Sequence, residues 1–256
     1  MTENTNEVNT CKNCENIFTG NFCNNCGQAA NIHPINHRHI IKEISDSIIK
    51  VNNGFIFTVK QLFLYPGKTI HEYIDGKRIK YFKPVTFILV LATFYTFLEH
   101  SFNRKTFLEE ILLEFKNLMF QGKFVNSNVF KILDWMISHT GYSILLSIPI
   151  FSLASFFAFY KSKNNYYKHL ILNNYLFGET IVFYIFIGII SHFISNKLVL
   201  NYFDIFRDIL IFTYTIYVYY QYFNQFKPIN RILRLALTFF YLSIFMLFII
   251  ITISML

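Results

Sequence analysis

Four cysteines in two Cys-x-x-Cys pairs are the residues of this chain most suited to chemistry. Cys11 and Cys14 form the first pair, Cys23 and Cys26 form the second, and the 256-residue sequence has no other cysteine. Each pair can direct two sulfurs at one point, and the eight residues between the pairs can bring both points together around a tetrahedral ion. The spacing predicts a structural zinc site in a ribbon over residues 11–28, preceded by a disordered tail over residues 1–10.

The segment between the cysteine pairs predicts two very short strands around a Gly20-Asn21 turn. Three other interpretations of the cysteines stay open: two disulfides, a dithiol redox pair, or an iron site. Residues 1–30 lack the basic, apolar and cleavage-site succession of an export signal, so we expect the ribbon in the cytosol, where disulfides rarely persist.

The predicted zinc site favours a binding role over catalysis or nucleic-acid recognition. Four thiolates leave a zinc ion no open position for a substrate. Lys12 is the sole basic residue of the ribbon, so we expect no nucleic-acid partner. The ribbon is therefore predicted to dock a protein partner.

The composition indicates an integral membrane protein. Hydrophobic residues make up 54% of the chain, with 32 Phe and 17 Tyr, while charged residues make up 15%. Soluble domains normally carry fewer apolar residues. The formal net charge is +8, but the basic residues gather beside the apolar segments, which is how membrane topology is encoded. We expect an all-α membrane bundle of about five transmembrane helices over residues 84–256, with the lipid bilayer as a partner.

Windows of about 20 residues match the thickness of the hydrocarbon layer. They predict spans near 82–100, 141–160, 176–195, 205–223 and 235–256. The first span is the weakest because its uninterrupted apolar core, residues 85–98, has 14 residues. A re-entrant or interfacial segment is the other interpretation of that stretch.

Basic residues in the short loops indicate the orientation. With a cytosolic N-terminus and five spans, the basic loops near Lys163 and Arg231 both fall inside, as the positive-inside rule requires. The long segment 101–140 then falls outside despite its basic residues, which weakens this arrangement. Apolar residues recur at helical spacing over 107–119, so this segment predicts an amphipathic helix that lies along the interface or packs onto the bundle.

Residues 33–83, before the first span, predict amphipathic juxtamembrane helices, because Ile40, Ile44 and Leu62 belong to apolar series at helical spacing. A cluster of four bases follows these helices: Lys77, Arg78, Lys80 and Lys83. Such a cluster at a membrane surface would attract anionic lipid headgroups. A topology signal alone is the other interpretation.

Ionisable side chains inside or beside spans are costly to hold in hydrocarbon and point to function. The candidates for an intramembrane or interfacial polar site are His169, Glu179 and His192. We expect Glu179 in the first turn of its span, where it complements the helix dipole, and His169 in the preceding cytosolic loop. His192 lies near the opposite end of that span. A metal or proton-relay site joining His169 and Glu179 is a further hypothesis.

Several short motifs carry a resemblance to a known family. They occupy residues 18–28, 54–58, 65–67, 72–78 and 81–84, with a weaker element at 167–170. Together they resemble an uncharacterised bacterial membrane family, the domain of unknown function 3667. The resemblance implies a zinc ribbon followed by membrane spans, in a protein of the bacterial inner (cytoplasmic) membrane, and it implies no reaction.

The sequence shows no catalytic signature. It has no Walker loop, no Gly-x-Ser-x-Gly elbow and no His-Glu-x-x-His motif. We therefore expect a non-enzymatic adaptor or scaffold whose cytosolic ribbon docks a protein partner. A small transporter or channel is the alternative, and a membrane enzyme acting on lipid is the third hypothesis. The sequence leaves the oligomeric state open.

Overall fold

A computed structural model describes residues 8–32, 34–46, 54–102, 105–121 and 127–255. Two antiparallel strands precede ten α-helices in this part of the chain. The strands are β1 (Val8–Thr10) and β2 (Ile17–Thr19). The helices are α1 (His37–Asp46), α2 (Phe55–Leu64), α3 (Pro66–Ile74), α4 (Pro84–Ser101), α5 (Phe107–Gln121), α6 (Ser127–Ser138), α7 (Thr140–Ala158), α8 (Tyr166–His192), α9 (Lys197–Tyr222) and α10 (Pro228–Met255).

Four of the described helices are long and apolar enough to cross a membrane: α4, α7, α8 and α10. The shorter helix α2 is apolar as well. These helices confirm the predicted fold class, an α-helical membrane bundle behind a small cysteine module. The four long helices overlap the predicted spans 82–100, 141–160, 176–195 and 235–256.

The predicted span 205–223 differs from the other four. It lies in α9, whose 26 residues are enough to cross a membrane, but α9 is not among the helices that are sufficiently apolar. Charged residues around Arg207 and a run of tyrosines toward the end of the helix lower its mean hydropathy. Helix α9 still packs between α8 and α10, and Tyr219 and Tyr222 are buried.

Helices α4 and α8 pack tightly and run in the same direction. Phe87 lies against Gly178, and farther along both helices Glu99 lies against Gly188. A Cβ atom added at Gly178 would stand 2.4 Å from the Phe87 ring, so a side chain there would force the helices apart. Because of this close approach, the short helix α4 packs into the core.

Helix α2 lies across the bundle near its ribbon end. Phe55 packs against the aromatic rings at the start of α4, and Phe63 contacts Phe183 of α8 with 6.0 Å between ring centroids. The hydroxyl of Tyr214 in α9 donates to the carbonyl of Leu62 at 3.0 Å. The helices α1, α2 and α3 correspond to the predicted juxtamembrane segment 33–83, of which residues 33 and 47–53 lie outside the described part.

Helices α5 and α6 cover the other end of the bundle. Leu112 of α5 is buried in a cluster with Val129 and Leu133 of α6, against Ile250 and Ile253 of α10. The amphipathic helix expected over 107–119 therefore packs onto the bundle, which was the second of its two interpretations.

Strand β1 corrects the predicted disordered tail over residues 1–10, of which residues 1–7 lie outside the described part. Val8 pairs with Thr19 in the β1–β2 register. The expected hairpin around Gly20-Asn21 is also wrong, because the chain pairs across each Cys-x-x-Cys knuckle instead, and Phe22 bridges Ala29 across the second. Each knuckle reverses the chain by itself, so the residues on either side of one knuckle become neighbours.

Candidate metal centre and buried polar sites

The two cysteine knuckles share one backbone geometry. The amide of Glu15 donates to the carbonyl of Cys11, and the amide of Gly27 donates to the carbonyl of Cys23, both at 2.8 Å. Glu15 and Gly27 both have positive φ angles, of 62° and 75°. That left-handed conformation favours glycine, so the second knuckle adopts it at a lower cost than the first.

The four sulfurs converge on one point. The Sγ atoms of Cys11 and Cys26 are 3.5 Å apart, those of Cys14 and Cys23 are 3.6 Å apart, and all four lie within 4.8 Å of one another. Sulfurs around a tetrahedral ion at ~2.3 Å would be roughly 3.8 Å apart. A disulfide needs about 2.05 Å, and all four cysteines are free, so the disulfide interpretation is wrong.

Hydrogen bonds favour the thiolate form of two of the cysteines. A hydrogen bond with the backbone of Asn16 lowers the pKa of Cys14. Burial alone would raise the pKa of Cys23, but hydrogen bonds with the backbone of Cys26 and Asn25 and with neighbouring thiols lower it to about 6. The thiolate is the form that binds a metal. Burial raises the pKa of Cys26 to about 11, so the capacity of the four cysteines to hold one ion follows from the convergence of their sulfurs.

The ribbon is docked on the juxtamembrane part of the bundle. The buried side chain of Gln28 accepts a hydrogen bond from the amide of Ile79 at 2.9 Å. Gly76 has a φ of 110° and faces the ribbon, because a Cβ atom there would stand 3.1 Å from the Lys12 side chain and 3.2 Å from that of Ile32. The loop after α3 is therefore in direct contact with the ribbon.

Two bases of the predicted membrane-surface cluster bind a carboxylate. Lys80 Nζ lies 2.7 Å and Lys77 Nζ 3.6 Å from the carboxylate of Glu72, which also accepts a hydrogen bond from the hydroxyl of Tyr81. Partial burial would raise the pKa of Glu72, but the hydrogen bonds from Lys80 and Tyr81 and the charges of both lysines lower it to about 2. The carboxylate is thus ionised at neutral pH.

The third base, Arg78, also contacts the protein. Its guanidinium donates to the carbonyl of Tyr73 and to Nδ1 of His39, both at 3.3 Å. Lys83, the fourth base, is the residue before α4. The cluster therefore organises the loop that carries the ribbon, and lipid recognition by the whole cluster stays a prediction.

A buried hydrogen-bond network joins α7, α8 and α9. The side-chain amide of Asn173 donates to the hydroxyls of Ser152 and Ser155 at 3.1 and 3.2 Å, and its oxygen accepts from the hydroxyl of Tyr219 at 2.9 Å. Ser155 also contacts Nδ1 of His169 at 2.9 Å. Sequence reasoning missed all of these residues except His169, although the polar pair at 173–174 inside an apolar stretch was a signal.

His169 and Glu179 differ from their expected positions. Helix α8 begins at Tyr166, where the side chain of Asn165 caps it by accepting from the amide of Lys168 at 3.0 Å. His169 therefore lies within the helix and not in a loop, and it is 0% exposed. Glu179 lies in the middle of the helix and is 1% exposed, rather than in a first turn that reaches water.

The three predicted polar residues do not form one site. His169 and Glu179 are ten residues apart on one helix, a rise of about 15 Å. Neither Nε2 of His169 nor Oε2 of Glu179 has a hydrogen-bond partner among the described residues. His192 ends α8, is exposed, and stacks on Phe102 with 4.3 Å between ring centroids. The only group of metal-binding side chains found in the described part of the chain is the cysteine cluster.

The second half of the first hundred residues matches the model of a known family. Residues 52–96 match the family model described as Protein of unknown function (DUF3667), which confirms the resemblance inferred from the motifs. The matched part contains α2, α3, the basic cluster and most of α4, while the ribbon and residues 167–170 lie outside it. No curated protein and no solved structure matches the chain.

Proposed function

We propose that the protein is a non-enzymatic membrane adaptor whose metal ribbon binds a protein partner. The observation that carries this proposal is the exposure of three large apolar side chains on the ribbon. Val8 is 70% exposed, Ile17 68% and Phe22 66%. Val8 and Ile17 share the exposed face of the two-stranded sheet, and an exposed apolar patch is a feature that a protein partner can cover.

The strand register supports this function. Phe18 is buried beside the cysteines, so its neighbour Ile17 points to the opposite, outer face of the two-stranded sheet. The ribbon contacts the bundle elsewhere, through Gln28 and next to Gly76. A ribbon fixed in this way presents its outer face without a large ordering cost on binding.

The charges of the ribbon favour a protein partner with an apolar surface. Lys12 and Glu15 are the charged residues over 11–28, and their charges cancel. Nucleic-acid binding needs a basic surface. The partner is therefore proposed to be a protein that buries Ile17 and Phe22.

Affinity purification from detergent-solubilised membranes tests the adaptor function. The paired change Ile17→Thr and Phe22→Ser should remove the partner that wild type retains, and so should Cys23→Ser with Cys26→Ser. Asn21→Ser, which changes an exposed polar residue of the same ribbon, is the matched control and should retain the partner. Identical partner profiles for all four proteins would rule out the adaptor function.

The metal is proposed to be zinc. Four thiolates at tetrahedral spacing and the absence of an open position suit structural zinc. Elemental analysis of the purified protein should find one zinc per chain. Iron in place of zinc would contradict this assignment.

The protein is proposed to lie in the bacterial inner membrane with its N-terminus in the cytosol. The basic loops near Lys163 and Arg231 both lie at the ribbon end: Arg234 donates to the carbonyl of Ala158 at 2.6 Å, and Asn165 donates to that of Ile35 at 3.0 Å. This grouping is what the positive-inside rule requires of a cytosolic face. A reporter fused near Asn165 should face the cytosol, and a periplasmic signal there would reverse the orientation.

A small transporter is the second candidate, because His169 and Glu179 are ionisable groups buried in α8, each with an atom that has no hydrogen-bond partner among the described residues. Flux into liposomes that is lost in Glu179→Gln would favour it over the adaptor. The third hypothesis is a membrane enzyme acting on lipid, which is based on His169 near the bilayer. That ring is 0% exposed, so the enzyme ranks behind the other two candidates.

A further inference from the structure

A cavity of about 460 Å³ lies between α4 and α7, at the end of the bundle opposite the ribbon. Ala92 and Leu145 line one part of it, and His100 and Thr140 line another. Since α4 leads away from the ribbon and α7 returns toward it, these pairs mark two different depths in the bundle. The cavity is thus a groove that follows both helices.

The groove is apolar at one end and polar at the other. Ala92 and Leu145 lie at the apolar end beside Thr93, whose hydroxyl donates within its own helix, and Phe97, which is 65% exposed, lies between the two ends. The polar end, at the helix termini, carries His100 and His139. Helices α4 and α7 are both long and apolar enough to cross a membrane. The apolar end of the groove therefore corresponds to the hydrocarbon layer and the polar end to the headgroup layer. The groove therefore suits a molecule with an apolar chain and a polar head.

A buried hydroxyl at the polar end has no partner. Thr140 lines the groove and is 1% exposed, and its Oγ1 atom makes no hydrogen bond in the described part of the chain. A buried hydroxyl without a partner destabilises the folded protein. A ligand oxygen at this position would offset that cost.

The same residue begins α7, and the helix start favours an anion. Helix α7 has 19 residues, and its N-cap residue His139 makes no side-chain capping bond. The first residues of the helix, Thr140, Gly141 and Tyr142, line the groove. The amides of a first turn lack partners within the helix and carry its positive end. No carboxylate is among the residues that line this cavity.

The ring of His139 is held in place beside this helix start. Its Nδ1 lies 2.9 Å from the hydroxyl of Ser138 and 3.0 Å from the carbonyl of Trp135. The ring also stacks on Trp135 with 4.8 Å between centroids. His100, at the end of α4, is a second imidazole that lines this end of the groove.

We propose that this groove binds the phosphate headgroup of a membrane phospholipid. The phosphate oxygens accept from Thr140, from the first amides of α7 and from the imidazoles of His100 and His139. One acyl chain lies along Ala92 and Leu145. A free phosphate would use the polar end alone, so the apolar half of the groove selects the lipid.

Native mass spectrometry of the full-length protein in detergent tests the site. Phosphatidylglycerol should bind at least about tenfold more tightly than diacylglycerol with the same chains and than glycerol phosphate. Diacylglycerol binding as tightly would show that the phosphate is not recognised. Glycerol phosphate binding as tightly would identify a site for free phosphate compounds and overturn the lipid assignment.

Two variants of the groove, one double and one single, serve as the test and its control. Thr140→Val with His100→Gln should weaken phosphatidylglycerol binding at least about tenfold, because donors to the phosphate are lost. Thr93→Val is the control, since Thr93 lines the same cavity but donates to the carbonyl of Leu89 at 2.8 Å. It should change binding less than twofold. Equal binding by the two variants would overturn the proposal.

A third variant covers the case in which Thr140→Val fails to fold. Leu145→Trp fills the apolar half of the groove and leaves the start of α7 unchanged. It should reduce phosphatidylglycerol binding at least about tenfold while the thermal unfolding transition is retained. Undiminished lipid binding by folded Leu145→Trp would show that the chain does not lie in this groove.

Discussion

The metal ribbon and the polar network of α8 are two polar clusters that the chain assembles in opposite ways. The ribbon takes its four ligands from one short segment, since Cys11 and Cys26 are 15 residues apart. In the α8 network, Asn173 binds Ser155 and Tyr219, which are 18 and 46 residues away along the chain. The first cluster is a local structure, and the second exists only when three helices have packed.

This difference predicts different sources of stability. The ribbon buries few apolar residues, with Phe18 and the cysteines as its small core, so metal binding must supply most of its folding free energy. The α8 network lies within the large core of α4, α7, α8 and α9, and it depends on packing and paired hydrogen bonds. Damage to one cluster should therefore leave the other intact.

The largest effect is expected from loss of the metal site. Cys14→Ser removes one of four ligands, and metal binding in comparable modules supplies about 10–16 kcal/mol. Amide hydrogen exchange should show full loss of protection over 8–30 and unchanged protection in α8. Loss of protection in both regions would show that the ribbon and the bundle fold as one unit.

The α8 network should be sensitive to loss of its central amide. Asn173→Leu leaves Tyr219 and the two serines without that partner, which should lower the free energy of unfolding by about 3 kcal/mol. Asn174→Leu is the control, because Asn174 donates to the carbonyl of Leu170 in its own helix at 2.7 Å and no partner on another helix is lost. Chemical denaturation in detergent measures both. Equal losses would mean that the network adds nothing beyond local hydrogen bonds.

Two glycines of α8 test the packing that surrounds the network. Gly178→Ala places a Cβ atom 2.4 Å from the buried Phe87 ring, and such overpacking should cost about 2 kcal/mol. Gly188→Ala places it 3.0 Å from the end of the Glu99 side chain, which can move, so a smaller loss is expected. Thermal unfolding compares the two variants. A larger loss at Gly188 would contradict this explanation of the α4–α8 contact.

The smallest effect should come from the backbone of the knuckles. Glu15→Gly relieves a left-handed conformation and should stabilise the ribbon by about 0.5–1 kcal/mol, whereas Gly27→Ala should destabilise it by a similar amount. Competition with a chelator measures the metal affinity of both variants. Shifts in the same direction would show that the two knuckles are not equivalent.

The sequence predicted the metal ligands because ligand type and spacing are local properties. The prediction of the strands was wrong because the Gly20-Asn21 pair indicated a turn, whereas the chain reverses its direction at the two Cys-x-x-Cys knuckles. Val8 is thus paired with Thr19, and Ile17 with Thr10, across the first knuckle. The ligand set was predictable, and the strand pairing required the folded knuckles.

The start of α8 was misplaced for a related reason. Lys168, His169 and Asn173 lower the hydropathy of the first part of the helix, so a window of apolar residues begins only near 176. His169 and Asn173 in fact face polar partners on α7 and α9. Hydropathy along one helix does not contain that information, because burial of a polar side chain depends on which helices pack against it.

The parallel packing of α4 on α8 imposes an order on biogenesis. Helix α4 ends at Ser101 and α8 begins at Tyr166, 65 residues later, so at 5–20 residues per second the ribosome completes α4 roughly 3–13 s before its partner starts to emerge. During that interval the shortest of the four apolar helices has no Gly178 surface to receive Phe87, and Glu99 has no helix beside it. Helix α4 must therefore remain without its packing partner until α8 has been translated. Insertion of α4 is thus the step that a delay or a chaperone would affect most.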